Sequence, residues 1–597
     1  AINLENNTTV TADRTDAGAG AIGAFINYGL VNIDATSKIE VEKENNVVNK
    51  QAVGVYAVNG SKVDNKGTID VGGDQSVGIL GMAYREDASH NPIVKEFGGK
   101  LGEGTVNITN EKDIKMSGKD AIGIYAMNNN TDTTVTSHLV TNKGTVEVGD
   151  SGEKTAVGIY AKGVNVKPEG GKIKIGKKAV GIYAEDSQVG EANKDLGTID
   201  FNGDDGVGIY LKGSGSKLVG NKVTLTQSKD SKNKVGILAD RGTSSIIKTE
   251  VAVGTLNNVI AYYSKGNNEL NVQSNVTLNG EENVAFYLNG TKAGASLELK
   301  TASGKTITLS GNKSVGAYGE NGARIENNAN ITVGTNGVAL YSTGITGTLT
   351  NTGKLTLGKN SAGIYMKDGT VLNNTGEIVS TAEGAKGVVI NNATASTYTN
   401  NGEIKLTGTG SIGIHTEGAA HNIISSANVE VGDTTGTDQS VAIHLKDGGQ
   451  VSVLSHTSVK AGKNSIGIYG STTLATIEND AKVEVGDGGV GIYAKGGNVN
   501  LGGTVNVANH IAADANSEPV GVYGTNGVSI NDTTSSFTVG DKSYGVILSN
   551  PGMSRTNVYS NSASSNVILG KESTFIYTEG ASSVTNNATI TSGTNEK

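Results

Sequence analysis

The sequence predicts an all-β protein, a right-handed parallel β-helix of about 21 coils, each with three short strands. The main observation is a phrase of an apolar residue, Gly or Ala, an apolar residue and usually Tyr, which recurs about every 24–28 residues. It reads Val-Gly-Val-Tyr at 53–56 and Val-Gly-Ile-Tyr at 490–493. Composition agrees, because the 597 residues include 86 glycines and only 4 prolines. Proline is rare where nearly every backbone N–H donates to a neighbouring strand.

Two further pieces complete each repeat. A short alternating strand precedes the phrase and ends in Val-Gly or Leu-Gly, as at 68–72 and 354–358. A third extended piece follows and ends in Asn-x-Gly, as at 65–67, 351–353 and 374–376. Asn and Gly tolerate a left-handed φ, so we expect left-handed corners there. No repeat has the length or the apolar spacing of an amphipathic helix.

Period-two alternation predicts which side chains share a face. Ile69 and Val71 should point inward, as should Val53 and Val55, which leaves Gly54 and its neighbouring Tyr on the opposite face. Of the 20 tyrosines, 14 occupy this one repeat position, so we predict a ladder of stacked rings. The members predicted to lie in one line are Tyr160, Tyr183, Tyr210, Tyr341, Tyr365, Tyr469 and Tyr493. The sequence favours a stiffening role over a ligand platform and leaves open whether the ladder faces in or out.

Composition also bounds organisation and partners. We expect one domain over 1–597, with a surface insertion at 82–104 and an irregular or continuing end at 578–597. Zero cysteines exclude disulfides and thiolate metal sites. A net charge of −9 without a basic cluster argues against nucleic acid, and the apolar runs are too short for a membrane helix. The chain opens without an initiator Met or a leader, which predicts a mature or excised segment.

No catalytic constellation emerges, so we expect neither an enzyme nor a cofactor. The Gly-x-Gly-x-x-Gly match at 18–23 lacks the strand and helix of a dinucleotide site, and 303–306 lacks the first glycine of a phosphate loop. His415 and His444 replace Tyr in consecutive coils and should form a stacked pair, because a metal site would need a third ligand. Acids such as Asp150 and Asp433 fall in turns, where corner chemistry explains them.

The longest break in the repeat is the insertion at 82–104. Insertions in solenoids become loops on one face and often carry recognition. This stretch clusters an arginine with aromatic side chains, the residue types that binding hot spots favour. We therefore predict Tyr84, Arg85, His90 and Phe97 as binding residues. A surface excursion without a binding role is the open alternative.

The recurring unit Asn-x-Gly-(Thr/Glu/Lys)-Ile/Val-x-Val-Gly-(Asp/Lys)-x-Ser-Val-Gly-Ile-Tyr resembles the passenger segments of type V autotransporters. It is most similar to the large outer-membrane adhesins of fusobacteria, the RadD-like group. The resemblance covers about residues 21–577 and concerns the scaffold. It implies a cell-surface rod, anchored to the outer membrane through a part of the parent chain not present here. It also implies coaggregation and attachment to a host-cell or bacterial surface receptor, with glycans among the ligands.

Three functions thus remain open. The leading one is a cell-surface adhesin. The others are a β-helical polysaccharide lyase or glycosidase and a purely structural surface filament without a ligand of its own.

Overall fold

A computed structural model describes residues 1–13, 20–42, 51–83, 105–128, 138–240, 246–266, 269–290, 297–344, 348–368, 371–511, 517–552 and 555–592. The contacts divide the chain into two compact units, Ala1–Glu298 and Leu299–Lys597. Within each unit the chain winds as a right-handed parallel β-helix, which confirms the predicted fold class. The described residues contain strands and turns but no helix, and so no helix there could cross a membrane.

Each coil contributes to three parallel sheets, which we name by their position or their characteristic residue. The first sheet holds the short alternating strands, and the tyrosine sheet holds the strands of the Val-Gly-Ile-Tyr phrase. The asparagine sheet holds the third strand of each coil, and several of these strands end in Asn. The described part of the chain supplies ten tyrosine-sheet strands in the first unit and eleven in the second. This number agrees with the repeat count in the sequence.

In the first unit, the first sheet comprises Thr9–Ala12, Lys38–Val41, Thr68–Val71, Asp113–Met116, Thr145–Val148, Lys172–Ile175, Thr198–Phe201, Lys222–Gln227, Glu250–Ala252 and Val276–Leu278. The tyrosine sheet comprises Ile22–Asn27, Val53–Val58, Val77–Ala83, Ile122–Asn128, Val157–Lys162, Val180–Glu185, Val207–Lys212, Lys234–Asp240, Val259–Lys265 and Val284–Asn289. The asparagine sheet comprises Ile2–Leu4, Leu30–Ile33, Lys62–Asn65, Asn107–Asn110, Leu139–Asn142, Asn165–Lys167, Gln188–Val189, Lys217–Leu218, Ile246–Ile247 and Glu269–Val272.

In the second unit, the first sheet comprises Thr306–Leu309, Asn330–Val333, Leu355–Leu357, Ile378–Ser380, Ile404–Leu406, Val429–Val431, Ser458–Ala461, Lys482–Val485, Thr504–Val507, Ser536–Val539, Asn566–Leu569 and Thr589–Ser592. The tyrosine sheet comprises Val315–Glu320, Val338–Thr343, Ala362–Lys367, Lys386–Asn391, Ile412–Glu417, Val441–Leu445, Ile466–Ile477, Val490–Leu501, Val520–Thr525, Tyr544–Asn550 and Thr574–Gly580. The asparagine sheet comprises Glu298–Thr301, Arg324–Asn327, Thr348–Asn351, Val371–Asn374, Thr397–Asn400, His421–Ser425, Gly449–Val453, Ser529–Asp532, Asn557–Asn561 and Ser582–Thr585, and the two long tyrosine-sheet strands also pair with it.

The core of each unit is filled by alternating apolar side chains, as the period of two predicts. Ile69 and Val71 of the first sheet are fully buried, whereas Thr68 and Asp70 between them are partly exposed. The last coil continues through 578–592 in strands, so the end of the described chain is regular.

The prediction that glycine and tyrosine share a face of the tyrosine sheet is wrong. Val55 is buried as predicted, but Val53 is only partly buried, and Gly54 points inward. A Cβ on Gly54 would lie 2.7 Å from Ile69 Cγ2 and 2.5 Å from the carbonyl oxygen of Gly78 in the next coil. Gly54 has no partner in the pairing of the two strands, in which Val53 pairs with Val77 and Val55 pairs with Ile79. The strand therefore bends at the glycine, and this bend resets the alternation so that the following tyrosine faces outward.

A ladder of buried asparagine side chains runs through the asparagine sheet. In the first unit, Asn65 Nδ2 donates to Asn110 Oδ1 at 2.7 Å, and Asn110 Nδ2 donates to Asn142 Oδ1 at 2.8 Å. In the second unit, Asn327 and Asn351 each donate at 2.8 Å to the next asparagine of the ladder. These buried amides also donate to backbone carbonyl oxygens. Both the NH2 group and the carbonyl oxygen of each such side chain therefore have hydrogen-bond partners.

The expected left-handed φ at the Asn-x-Gly corners is also wrong, since neither residue of these corners has a positive φ. Glycine is needed there for close approach: a Cβ on Gly376 would lie 2.1 Å from the carbonyl oxygen of Gly353. Many left-handed residues lie instead at the corners before and after the tyrosine-sheet strands. Two that precede such strands are Asn336 and Asn360, both with φ near 54°. Each of these donates its backbone N–H to the next coil, at 2.8 and 2.9 Å.

We expect Asn351→Ala to destabilise its coil by about 3 kcal/mol, because the amide of Asn327 and the carbonyl of Asn374 would lose buried partners. Chemical denaturation combined with hydrogen exchange of the neighbouring coils measures the loss. Thr350→Ala is the matched control, since Thr350 points outward on the same strand and should change stability by less than about 0.5 kcal/mol. Equal effects of the two substitutions would contradict the role of the ladder.

Candidate functional site

The tyrosine ladder lies on the outer face of the tyrosine sheet in both units. In the first unit Tyr160 pairs with Tyr183, which pairs with Tyr210. In the second unit Tyr341 pairs with Tyr365, and Tyr469 pairs with Tyr493. The predicted alignment is therefore confirmed within each unit. The rings are half-buried, which answers the question of direction: they point outward and lie against each other.

Most neighbouring rings of the ladder are in aromatic contact. Tyr125 and Tyr160 have centroids 4.8 Å apart with planes 7° from parallel. Tyr341 and Tyr365 lie 5.1 Å apart at 3°. Tyr183 and Tyr210 form an edge contact at 61° instead. Offset stacks and edge contacts at this spacing are favourable, so the ladder stabilises the coils that it joins.

A second row of side chains runs beside the ladder, two residues after each ladder position. We call it the flanking row. In several coils a tyrosine hydroxyl meets the flanking residue of the next coil: Tyr210 donates to Asp240 at 2.6 Å, and Asn391 donates to Tyr365 at 3.3 Å. This row is not among the features predicted from the sequence, although the repeat contains a recurring Tyr-x-(Lys/Glu/Asn) triplet.

Charges in the flanking row of the first unit alternate in sign. Glu185 accepts from Lys162 of the preceding coil at 3.1 Å and lies 3.6 Å from Lys212 of the following coil. Burial alone would raise the pKa of the Glu185 carboxyl, but the hydrogen bonds and charges of both lysines together lower it. Burial raises the pKa of the Tyr160 and Tyr210 phenols, so both hydroxyls stay protonated, and the hydroxyl of Tyr210 donates to Asp240.

His415 and His444 are neighbours on the ladder, as predicted, but their rings are tilted and not stacked. Their ring centroids lie 4.8 Å apart with planes tilted by 58°, and their Nδ1 atoms are 3.2 Å apart. Glu417 lies 3.7 Å from His415 and pairs with Lys446 at 2.9 Å. Within the described ranges no group of three or more His, Cys, Asp or Glu side chains is placed to hold a metal ion.

Several acidic residues at the corners accept hydrogen bonds from the backbone. Asp150 and Asp433 each accept a backbone N–H of the next coil at 2.7 Å, from Lys177 and Lys463. Asp541 does the same for Lys571 at 2.8 Å. This arrangement agrees with the interpretation of these acids as corner residues.

The four predicted binding residues, Tyr84, Arg85, His90 and Phe97, lie outside the described residues. Of the insertion at 82–104, the structure describes only Met82 and Ala83, which end a tyrosine-sheet strand. The proposed contacts of this insertion therefore stay a prediction.

We expect the stability of the coils that hold the histidine pair to fall as the pH drops from about 6.5 toward 4. Burial lowers the pKa of His415 and lowers that of His444 to about 4, so the folded chain binds fewer protons than the unfolded chain in this window. Replacing both with the usual ladder residue, in His415→Tyr/His444→Tyr, should remove about 1 kcal/mol of this pH dependence.

Denaturation monitored between pH 4 and 8 measures this effect. His456→Asn is the control, since His456 is exposed and its φ of 64° suits asparagine. An unchanged pH profile in the double variant would refute the assignment.

Residues 289–535 match the protein family described as BigA third pectate lyase-like domain. This match covers less than half of the chain, and it links the fold to a bacterial surface protein. No curated protein sequence matches the chain. No solved structure matches it either.

Proposed function

We propose that this chain is an adhesive segment of a bacterial surface protein, which attaches to a receptor on host cells or on other bacteria. The observation that carries the proposal is the outward ladder of half-exposed tyrosines with its polar flanking row. Tyrosine offers a large rigid contact area and a hydroxyl, and it is enriched at binding surfaces. The surface-protein family that matches 289–535 supports an extracellular location.

The proposal includes the cellular location of the chain. It lies outside the cell and is anchored to the outer membrane. A net charge of −9 keeps such an exposed segment soluble, and coil-on-coil stacking allows folding to spread from one end after secretion. The resemblance to type V passengers agrees with both points.

The insertion at 82–104 is proposed as a second place of contact, through Tyr84, Arg85, His90 and Phe97. An arginine can fork onto a carboxylate while an aromatic ring stacks on a sugar. Coil stacking constrains most other residues to serve the scaffold, whereas an insertion can diverge.

A polysaccharide-degrading enzyme is the alternative that the name of the matched family favours. Against it, several corner acids, such as Asp150, Asp433 and Asp541, are engaged with backbone N–H groups. Carboxylates that act on glycosidic bonds must instead face the substrate in pairs. A structural filament without a ligand is the third possibility.

We expect the purified chain to bind host or partner bacterial cells saturably, and to release no reducing sugar from neutral or acidic polysaccharides. Competition with free sugars and amino acids identifies the class of receptor. Sugar release at enzyme-like rates would show that the chain is a polysaccharide-degrading enzyme. Absence of binding to every cell type would leave the structural filament as the remaining function.

Two variants locate the binding surface. One replaces 84–104 with a Gly-Ser linker, and the other is Tyr160→Leu/Tyr183→Leu, which is compatible with the fold because Leu80 and Leu238 occupy the same ladder position. Adhesion lost only in the first variant places the receptor contact on the insertion. Adhesion that is unchanged in the first variant and about tenfold weaker in the second places it on the ladder.

A further inference from the structure

One lysine of the flanking row, Lys495, differs from Lys162, Lys212 and Lys446 in its surroundings. Lys162 and Lys212 share the carboxylate of Glu185, and Lys446 pairs with Glu417. Lys495 has neighbours of another kind: it pairs in register with Ser471 on one side and Thr525 on the other. Among the described residues no carboxylate lies within ion-pair distance of Lys495. No described carboxylate therefore neutralises its positive charge.

Aromatic rings hold this lysine in place. The ammonium nitrogen lies 5.3 Å from the ring centroid of Tyr469 and 5.8 Å from that of Tyr493. Both distances are within the range of cation–π attraction. The ammonium group can therefore interact with both rings and still donate hydrogen bonds to a ligand. The phenol of Tyr469 raises the pKa of Lys495, so the side chain stays charged at any physiological pH.

The same coils carry an unbroken stretch of the ladder. Tyr469 and Tyr493 stack with centroids 5.3 Å apart, and Tyr493 and Tyr523 stack at 4.9 Å. All three rings are half-buried, so each keeps part of its surface in solvent. The surface thus combines an apolar aromatic strip, a fixed cation and the flanking residues Ser471 and Thr525, which carry hydroxyls.

We propose that Tyr469, Tyr493, Tyr523 and Lys495 form a binding site for an acidic glycan, a sugar chain that bears carboxylate or sulfate groups. Sugar rings present apolar C–H faces that pack on tyrosine, and the anionic group pairs with the ammonium of Lys495. The ladder advances by about 4.8 Å per coil, close to the length of one sugar unit, so successive sugars meet successive rings. This inference rests on the proposed adhesive function and names its ligand class.

The test is calorimetric titration of the full chain with oligosaccharides of equal length, one neutral, one carboxylated and one sulfated. We expect both acidic ligands to bind about three- to tenfold more tightly than the neutral one, with an affinity that falls as NaCl is raised. Lys495→Gln should remove this preference and the salt dependence while leaving neutral binding unchanged. Tyr493→Leu should weaken binding of all three ligands.

The first unit supplies matched controls. Lys212→Gln and Lys162→Gln each remove a lysine that is already paired with Glu185. Neither should change acidic-glycan binding more than twofold. Equal effects of Lys495→Gln and Lys212→Gln, or acidic ligands bound no better than neutral ones, would overturn the site.

Cell binding of the same variants separates this inference from the proposed function. Cells bound equally by the wild type and by Lys495→Gln, without acidic-glycan binding in solution, would refute the site and leave the adhesive function standing. Absence of cell binding by the wild type would refute the adhesive function, and the titrations would then judge the site alone.

Discussion

The structure depends on one constraint, which is that each residue of a coil lies directly above its equivalent in the next coil, about 4.8 Å away. A side chain must therefore be compatible with a copy of itself. Asparagine meets this condition because its amide carries both a donor and an acceptor, as the 2.8 Å bond from Asn327 to Asn351 shows. Tyrosine meets it by offset stacking, and glycine meets it by allowing backbones to approach closely.

Charged side chains cannot meet this condition, and the flanking row shows how the chain handles them. Two lysines one coil apart would repel, so Glu185 stands between Lys162 and Lys212. The histidine pair solves the same problem differently, because burial lowers the pKa of both rings and keeps them neutral at pH 7. Stacking of like residues thus determines the sequence pattern inside the fold and restricts the pattern of charge outside it.

Most of the fold could be predicted because the repeat reports this constraint directly. The period, the three strands and the alignment of residues such as Tyr341 and Tyr365 all follow from identical places in identical units. The bend at Gly54 could not be predicted, because it depends on the approach of Gly78 and Ile69 from other coils. The true role of the Asn-x-Gly corner was hidden for the same reason: the bonds of Asn351 to its neighbours join residues that are about 24 positions apart.

The candidate site was harder to predict than the fold. The repeated residues report what the scaffold requires, and they give no information on residues that the scaffold does not constrain. A residue that departs from the repeated pattern can be interpreted only when its neighbours in the adjacent coils are known. Lys495 looks like any other lysine after a Val-Gly-Ile-Tyr phrase, and only its placement between Ser471 and Thr525 separates it from Lys212. Lys495 contacts the rings of Tyr469 and Tyr493 and forms no ion pair with a described residue. In a solenoid whose coils are joined by ladders of like residues, residues that depart from the ladder pattern are the candidates for a functional role.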